Sequence, residues 1–264
     1  MPHRHRTAPL LAALVGSAAA CFISVGPTAA EPAQPVAVVD HGDPLAWLDA
    51  SQARANAAEA LTARMVYRTY EAFLDDTQER FGTLLYRQGR SGEPTRFALE
   101  LDGRRFDPDA ETIEAIDRRL VYDGRYLLDV DRAGREATRR DLLGRPPAPA
   151  GGNDAGGPEV PLPLGLGGSA LAERYHISFG EAETETARHL VLEPKPGLDA
   201  DRLELWLDRT TALPVRGQTV TAEGDTTEVV LKNFQPVDAP PSAAFSTDLP
   251  ADPAWRIQDV PFEG

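Results

Sequence analysis

Leu203, Leu205 and Leu207 alternate with Glu204, Trp206 and Asp208, the period-2 pattern of a β-strand with one face buried and the other facing water. A segment patterned this way cannot serve as an amphipathic helix, whose apolar residues recur every third or fourth position. The same device repeats along the chain. Met65 and Tyr67 lie in a β-branched and aromatic run, Leu84 and Tyr86 share one side of a strand at 78–87, and Phe97, Leu99 and Leu101 alternate with Arg96, Ala98 and Glu100. Tyr126, Leu128 and Val130, and later Tyr175, Ile177 and Phe179, do likewise. Further strands are expected at 120–122, 135–141, 189–193, 213–221 and 226–234. Asp102-Gly103 and Asp123-Gly124 carry two-residue hairpin chemistry, and Glu223-Gly224-Asp225 joins the last pair. Roughly ten antiparallel strands make a sheet large enough to curl.

Outside the strands, Asp43-Pro44 supplies an N-cap and a proline at the first helical position, so a helix is expected from Leu45 to about Ala58. Its bulky residues, Leu45, Trp47 and Leu48, are followed mainly by alanine and polar residues, which suits a lid better than a core pillar. The charged stretch 109–118 reads as one or two helical turns. The 144–168 segment is rich in Pro and Gly, with an apolar end where Leu162, Leu164 and Leu166 offer a second cover. A short helix is expected at 169–174. The tail is proline-rich, with Phe245 and Trp255 as docking residues, and Trp206 is expected to be partly exposed or tucked under it. Alternation alone does not separate a sandwich from a curled sheet. The helix-then-meander order favours a mainly β fold: a single curved antiparallel sheet forming an unclosed half-barrel, covered by the N-terminal helix and a second short helix or loop. The expected organisation is an export signal at 1–30, a linker at 31–42, the half-barrel at 43–256 and a tail at 257–264.

The start of the chain reads as a secretory signal. Arg4 and Arg6 precede the small and apolar run Ala8–Val25, and Thr28-Ala29-Ala30 offers a cleavage site. Export to the periplasm is the expectation, with lipid anchoring through Cys21 or an uncleaved anchor as alternatives. Cys21 is the one cysteine, so a chain cleaved after Ala30 has no disulfide and no thiol chemistry. Without Arg4 and Arg6 the charge is 25 basic residues against 41 acidic, from 27 and 41 in the whole chain. Such an acidic balance repels nucleic acid and says little about an apolar ligand.

Catalytic signatures are weak. No serine after the signal sits in a Gly-x-Ser-x-Gly elbow. His176 and His189 stand on separate strands, where an outward, solvent-facing position is expected. The acid pairs Asp75-Asp76, Asp107 with Asp109, Asp129 with Asp131 and Asp199 with Asp201 lack the twelve-residue calcium-loop pattern. Gly165-Leu166-Gly167-Gly168 follows no apolar strand and precedes no lysine, unlike a nucleotide loop. No catalytic residue, metal site or cofactor is expected.

One series of motifs carries a family resemblance: Gly82-Thr83-Leu84, Glu93-Pro94-Thr95-Arg96-Phe97, Val121-Tyr122-Asp123-Gly124, and Leu205-Trp206-Leu207-Asp208 before Leu213-Pro214. In order and spacing it resembles the LolA-like periplasmic carriers of outer-membrane lipoproteins, with relatives in LolB and the lipid-sensing regulator RseB. The resemblance covers about 43–255 and implies an unclosed β-barrel, covered by helices, whose apolar interior holds acyl chains. Carriers of this kind often place an arginine immediately before the proline of the third strand, where it tethers the lid. Glu93 holds that position here, and Arg96 is the nearby substitute.

The resulting expectation is a monomeric, non-enzymatic lipid binder. Met65, Tyr67, Leu84, Tyr86, Phe97, Leu99, Tyr126, Leu128, Ile177, Phe179, Leu203, Leu205 and Leu207 would line its cavity, with an ordinary closed core as the competing reading of the same residues. Its partners would be lipoprotein acyl chains or another lipid, and a membrane-bound donor, acceptor or regulator. A lipid-sensing interaction protein without a transport role is the alternative, and an exported hydrolase a remoter one.

Overall fold

The computed structural model describes residues 42–90, 93–142, 168–198 and 201–262, all within one compact unit, Pro35–Gly264. The expected export segment with Cys21, nearly all of the expected linker, and Leu162, Leu164 and Leu166 lie outside the described residues.

Helix α1 (Pro44–Ala57) starts as its sequence dictates: the Leu45 N–H donates to Asp43 Oδ1 at 3.0 Å, satisfying a donor that the helix leaves free. Six strands follow: β1 (Ala60–Glu71), β2 (Asp76–Arg87), β3 (Arg96–Arg105), β4 (Glu114–Tyr122), β5 (Tyr126–Asp131) and β6 (Glu136–Asp141). Helix α2 (Gly168–Arg174) leads into β7 (Tyr175–Phe179), β8 (Ala187–Pro194), β9 (Arg202–Asp208), β10 (Pro214–Val220) and β11 (Thr226–Val237). A 3-10 turn, Ser242–Phe245, and β12 (Arg256–Val260) complete the chain.

All twelve strands form one sheet in the order β12-β6-β5-β4-β3-β2-β1-β11-β10-β9-β8-β7. Two antiparallel meanders, β1 to β6 and β7 to β11, are joined at the middle by the long β1–β11 pair. β12 runs parallel to β6 at one edge, and β7 forms the other. The two edges do not pair, so the curved sheet is an unclosed barrel.

Several local expectations give way. Asp102-Gly103 is not a turn: β3 runs through it to Arg105, and the pairing slips there and between Phe81 and Gly82. The Asp-Gly pair serves as a bulge, because strand pairing continues past it in Arg80 with Arg104. Gly82 permits the approach, since a Cβ there would lie 2.1 Å from the Glu100 carbonyl oxygen. The 109–118 stretch forms no helix. Its second half is β4, recruited by the prolonged β3, and Arg104 grips Glu114 through two hydrogen bonds at 2.8 and 2.9 Å. Asp123-Gly124 does turn a hairpin, with Gly124 at φ 103°.

Both faces of the sheet are covered. On one face, Trp47 and Leu48 of α1 and Leu171 of α2 pack on Tyr175, Leu190, Leu192, Leu203, Leu205 and Leu207. Ala55 meets a second cluster spread over β1 to β5 and β11. Trp47 is 1% exposed: α1 covers this face through two adjacent bulky residues that stand in for the missing apolar stripe. The opposite face is closed by the tail. Phe245 packs on Ala98 and Val121, and Leu249 and Trp255 pack on Leu128, Val130 and Ala137.

Candidate functional site

The helix-covered face gathers most of the sequence-selected side chains. Met65, Tyr67, Leu84, Tyr86 and Leu99 are buried in one cluster, with Phe97 half-buried beside them. Leu203, Leu205 and Leu207 are buried in the neighbouring cluster, against which Ile177 and Phe179 pack. Cross-strand register explains the grouping: Tyr67 stands opposite Arg80 and Val229, Leu84 opposite Leu99, and Phe97 opposite Tyr122.

Tyr126 and Leu128 lie on the other face. Leu128 packs under Leu249 and Trp255, while Arg125 and Arg139 each sit 4.8 Å from the centre of the Tyr126 ring. Leu127 is the β5 residue on the helix-covered face. β5 alternates cleanly, but its apolar face, Tyr126, Leu128 and Val130, is the one the tail covers, while Leu127 shares the helix-covered face with Asp129 and Asp131. Leu120, Tyr122, Val229 and Leu231 also belong to the site. The pairing implied by Asp123-Gly124 carries the signal for Leu120 and Tyr122, which face the same way as Leu127. Burial, followed by the nearby Asp123 charge, pushes the Tyr122 phenol up to about 12, and burial likewise raises Tyr86 and Tyr175. These phenols remain neutral and serve the face as apolar rings.

The cover is uneven. Over β7 to β9 it consists of Trp47, Leu48 and Leu171. Over β1 to β5, the described helix contributes only Ala55, with Ala58 just beyond its end. Arg90, in the β2–β3 connection, donates to the carbonyls of Asn56 and Ala58, gripping the C-terminal end of α1, where a cation is favoured. Arg96 makes no such link among the described residues, and its Nε is buried without a hydrogen-bond partner. Glu93 pairs instead with Arg87 at 3.3 Å.

At the β1–β5 end of this face the lining turns polar. Arg80 lies beside Tyr67, its guanidinium carbon 5.8 Å from the ring centre, and donates to Gln78 at 3.2 Å. Arg104 and Arg118 flank it, bound to Glu114 and Asp129.

A polar ladder crosses the opposite face. Arg105 and Arg68 grip the buried Glu79, Arg68 also reaches Glu228 at 2.6 Å, and Arg216 reaches the other Glu228 oxygen at 2.6 Å. Arg216 then covers Trp206 at 4.0 Å, which stacks on His189 at 4.3 Å. His189 is buried, contrary to its expected outward position. Its Nδ1 accepts the Ala182 N–H at 3.1 Å, so the proton sits on Nε2, 2.9 Å from Glu204. Trp206 donates to the Ala182 carbonyl at 3.0 Å, which places it under the 180–186 loop and Arg216 rather than under the tail. A groove of about 930 Å³ adjoins it, lined by Val215, Val230, Lys232 and the 182–187 loop. Among the described residues, no three acidic or histidine side chains converge as a metal site.

No family profile and no curated protein matches the chain. Solved structures do resemble it. MucB in its complex with MucA from Pseudomonas aeruginosa is 18% identical, at a TM-score of 0.40 over 77% of this chain and 60% of that one, so this chain spans well under two thirds of that protein. An uncharacterized conserved protein from Thermus thermophilus is 11% identical, at 0.45 over 82% of this chain and 98% of its own. A LolA superfamily protein from Nitrosomonas europaea is 10% identical, at 0.36 over 77% and 97%. Each of these likenesses is under 20% identical and under 0.5 in TM-score.

Proposed function

We propose that this chain is an exported, periplasmic binder of acylated cargo that holds the acyl chains of a lipoprotein or another lipid against the helix-covered face. The observation that carries the reading is the uneven cover: Met65, Tyr67, Leu84, Leu99, Leu120 and Leu127 form a continuous apolar surface, and the described helix sets only alanine against it. At about 0.8 kcal/mol per buried CH₂, a fourteen-carbon chain supplies a gross gain of about 11 kcal/mol. After association costs of about 4 kcal/mol or more, one such chain leaves binding of about 10 μM at best, which a second acyl chain would tighten. No catalytic group is needed, and His189, locked between Trp206, Ala182 and Glu204, has a structural part.

The test is protein purified without detergent, examined by native mass spectrometry and by uptake of a fluorescent acyl probe. Bound lipid and saturable uptake are expected; a bare chain that takes up no probe overturns the reading. A lipid-sensing regulator is the second reading, supported by the groove beside Trp206, which lies on the face away from the lipid and carries Arg216 and Lys232 with Glu183 and Asp208. Lipoprotein transfer to acceptor membranes supports carriage. Capture of a membrane regulator, abolished by Val230→Asp in this groove, supports sensing.

A further inference from the structure

Most arginines on the strands of the first meander are neutralised in place, with Arg96 and Arg140 also lacking an ion pair among the described residues. Arg64, Arg68, Arg104, Arg105 and Arg118 each meet a carboxylate. Arg80 does not: its contacts are the Gln78 side chain and the Tyr67 ring, and no ion pair involves it among the described residues. It is also half-buried, and burial, with Arg118 and Arg104 adding to the effect, lowers its pKa. An unpaired guanidinium taken from water costs stability and returns nothing to the apoprotein. Such exceptions to local consistency are where function is expected.

Its position gives the exception a use. Tyr67 and Arg80 are direct cross-strand partners, so Arg80 stands on the helix-covered face at the end of the Met65 and Leu84 surface. A chain lying on that surface can place its polar end at Arg80. Arg104 and Arg118 stand on the same face, one directly opposite Arg80 and the other opposite Leu101. Asp129 and Glu114 each occupy one of these neighbours, and Asp131, opposite Arg118, accepts the Gly134 N–H. Only Arg80 keeps an unclaimed positive charge in this group.

We propose that Arg80 is the headgroup subsite for a phosphate-bearing lipid, its guanidinium binding the phosphate while the acyl chain lies along Tyr67, Met65 and Leu84. A planar guanidinium matches phosphate oxygens through paired N–H donors, and the adjoining apolar wall strengthens that contact by excluding water. The assignment rests on the acyl-binding reading above and narrows it to one class of cargo.

The experiment compares three probes with one acyl chain, lysophosphatidic acid, lysophosphatidylcholine and monoacylglycerol, by calorimetry on full-length mature protein. Wild type is expected to favour lysophosphatidic acid over monoacylglycerol by about tenfold. Arg80→Gln is expected to erase that preference by bringing lysophosphatidic acid down to the affinity the same variant shows for monoacylglycerol, and Arg80→Lys to keep part of it. Circular dichroism melting checks both variants, and Arg80→Gln is expected to melt no lower than wild type. Equal wild-type affinity for all three probes overturns the headgroup site and leaves acyl binding standing. Failure of every probe overturns both. Inorganic phosphate that binds alone as tightly as lysophosphatidic acid, with the same dependence on Arg80, shows a free-anion site and overturns the lipid assignment.

Discussion

Glu79 shows how a single residue holds the sheet from the face away from the site. It is 1% exposed and receives Arg68 and Arg105 from the strands on either side. Burial alone would raise its pKa, but the hydrogen bonds from Arg105 and then Arg68 outweigh it and the pKa is lowered. Glu79→Gln leaves two guanidinium groups facing one neutral amide, and the expected loss is about 2 kcal/mol, read from the urea midpoint at neutral pH. A lowered folded-state pKa contributes stability above the unfolded value and loses it as pH falls through the folded one. The gap between wild type and Glu79→Gln should therefore close as the buffer is taken below the ordinary glutamate range. Glu114→Gln, at the solvent-exposed Arg104 pair, should leave the midpoint where it is. Equal losses from the two variants would refute the role given to Glu79.

At the scale of the element, α1 must be both anchor and cover. Withdrawing Trp47 and Leu48 from their cluster forfeits about 2 kcal/mol for each side chain, so spontaneous lifting of the whole helix is a state of about one molecule in a thousand. Under the proposed function, cargo or a partner supplies that difference. Trp47→Ala should cost about 3–5 kcal/mol in denaturant unfolding; a loss under about 1 kcal/mol would mean that the helix is a detachable lid. The other end is lighter, held by Arg90 on the Asn56 and Ala58 carbonyls. Arg90→Ala should speed amide exchange in the last turn of α1 by several-fold without moving the global midpoint, and unchanged exchange there would contradict the tether. This asymmetry allows the β1–β5 end to loosen while the Trp47 end stays closed.

Over the whole molecule, an unclosed twelve-strand sheet has two faces to bury, and segments flanking the strands cover them. The N-terminal helix takes one face and the tail takes the other. Thr247 donates to Asp123 at 2.5 Å and Arg119 to the Ala244 carbonyl at 2.6 Å, fastening the tail over Val121 and Ala98. Phe245→Ala should then cost about 3 kcal/mol or more while leaving acyl-probe affinity unchanged, because it acts on the face away from the proposed acyl-binding surface. A fall in affinity without a fall in stability would place the binding surface on the tail side instead.

Alternation and turn chemistry are enough to read most of the strands, with β12 and the first half of β4 as exceptions, the Leu203, Leu205 and Leu207 face, the Asp43 cap and the apolar residues of β1, β2 and β3, because each depends on neighbours within one strand or turn. The docking residues Phe245 and Trp255 stood out as bulky side chains in a proline-rich tail. Three things were beyond the reach of such local patterns. Which cover Leu128 meets depends on a tail more than a hundred residues away, which packs on the Leu128 and Val130 face of β5. The burial of His189 depends on Trp206 in the next strand and Arg216 in the one after. The significance of Arg80 depends on which carboxylates other strands bring to the arginines around it. A sequence determines where a chain is apolar and where it turns; which charges are left unpaired is decided only when distant strands come into register, because ion pairing is set by distance in space and not along the chain.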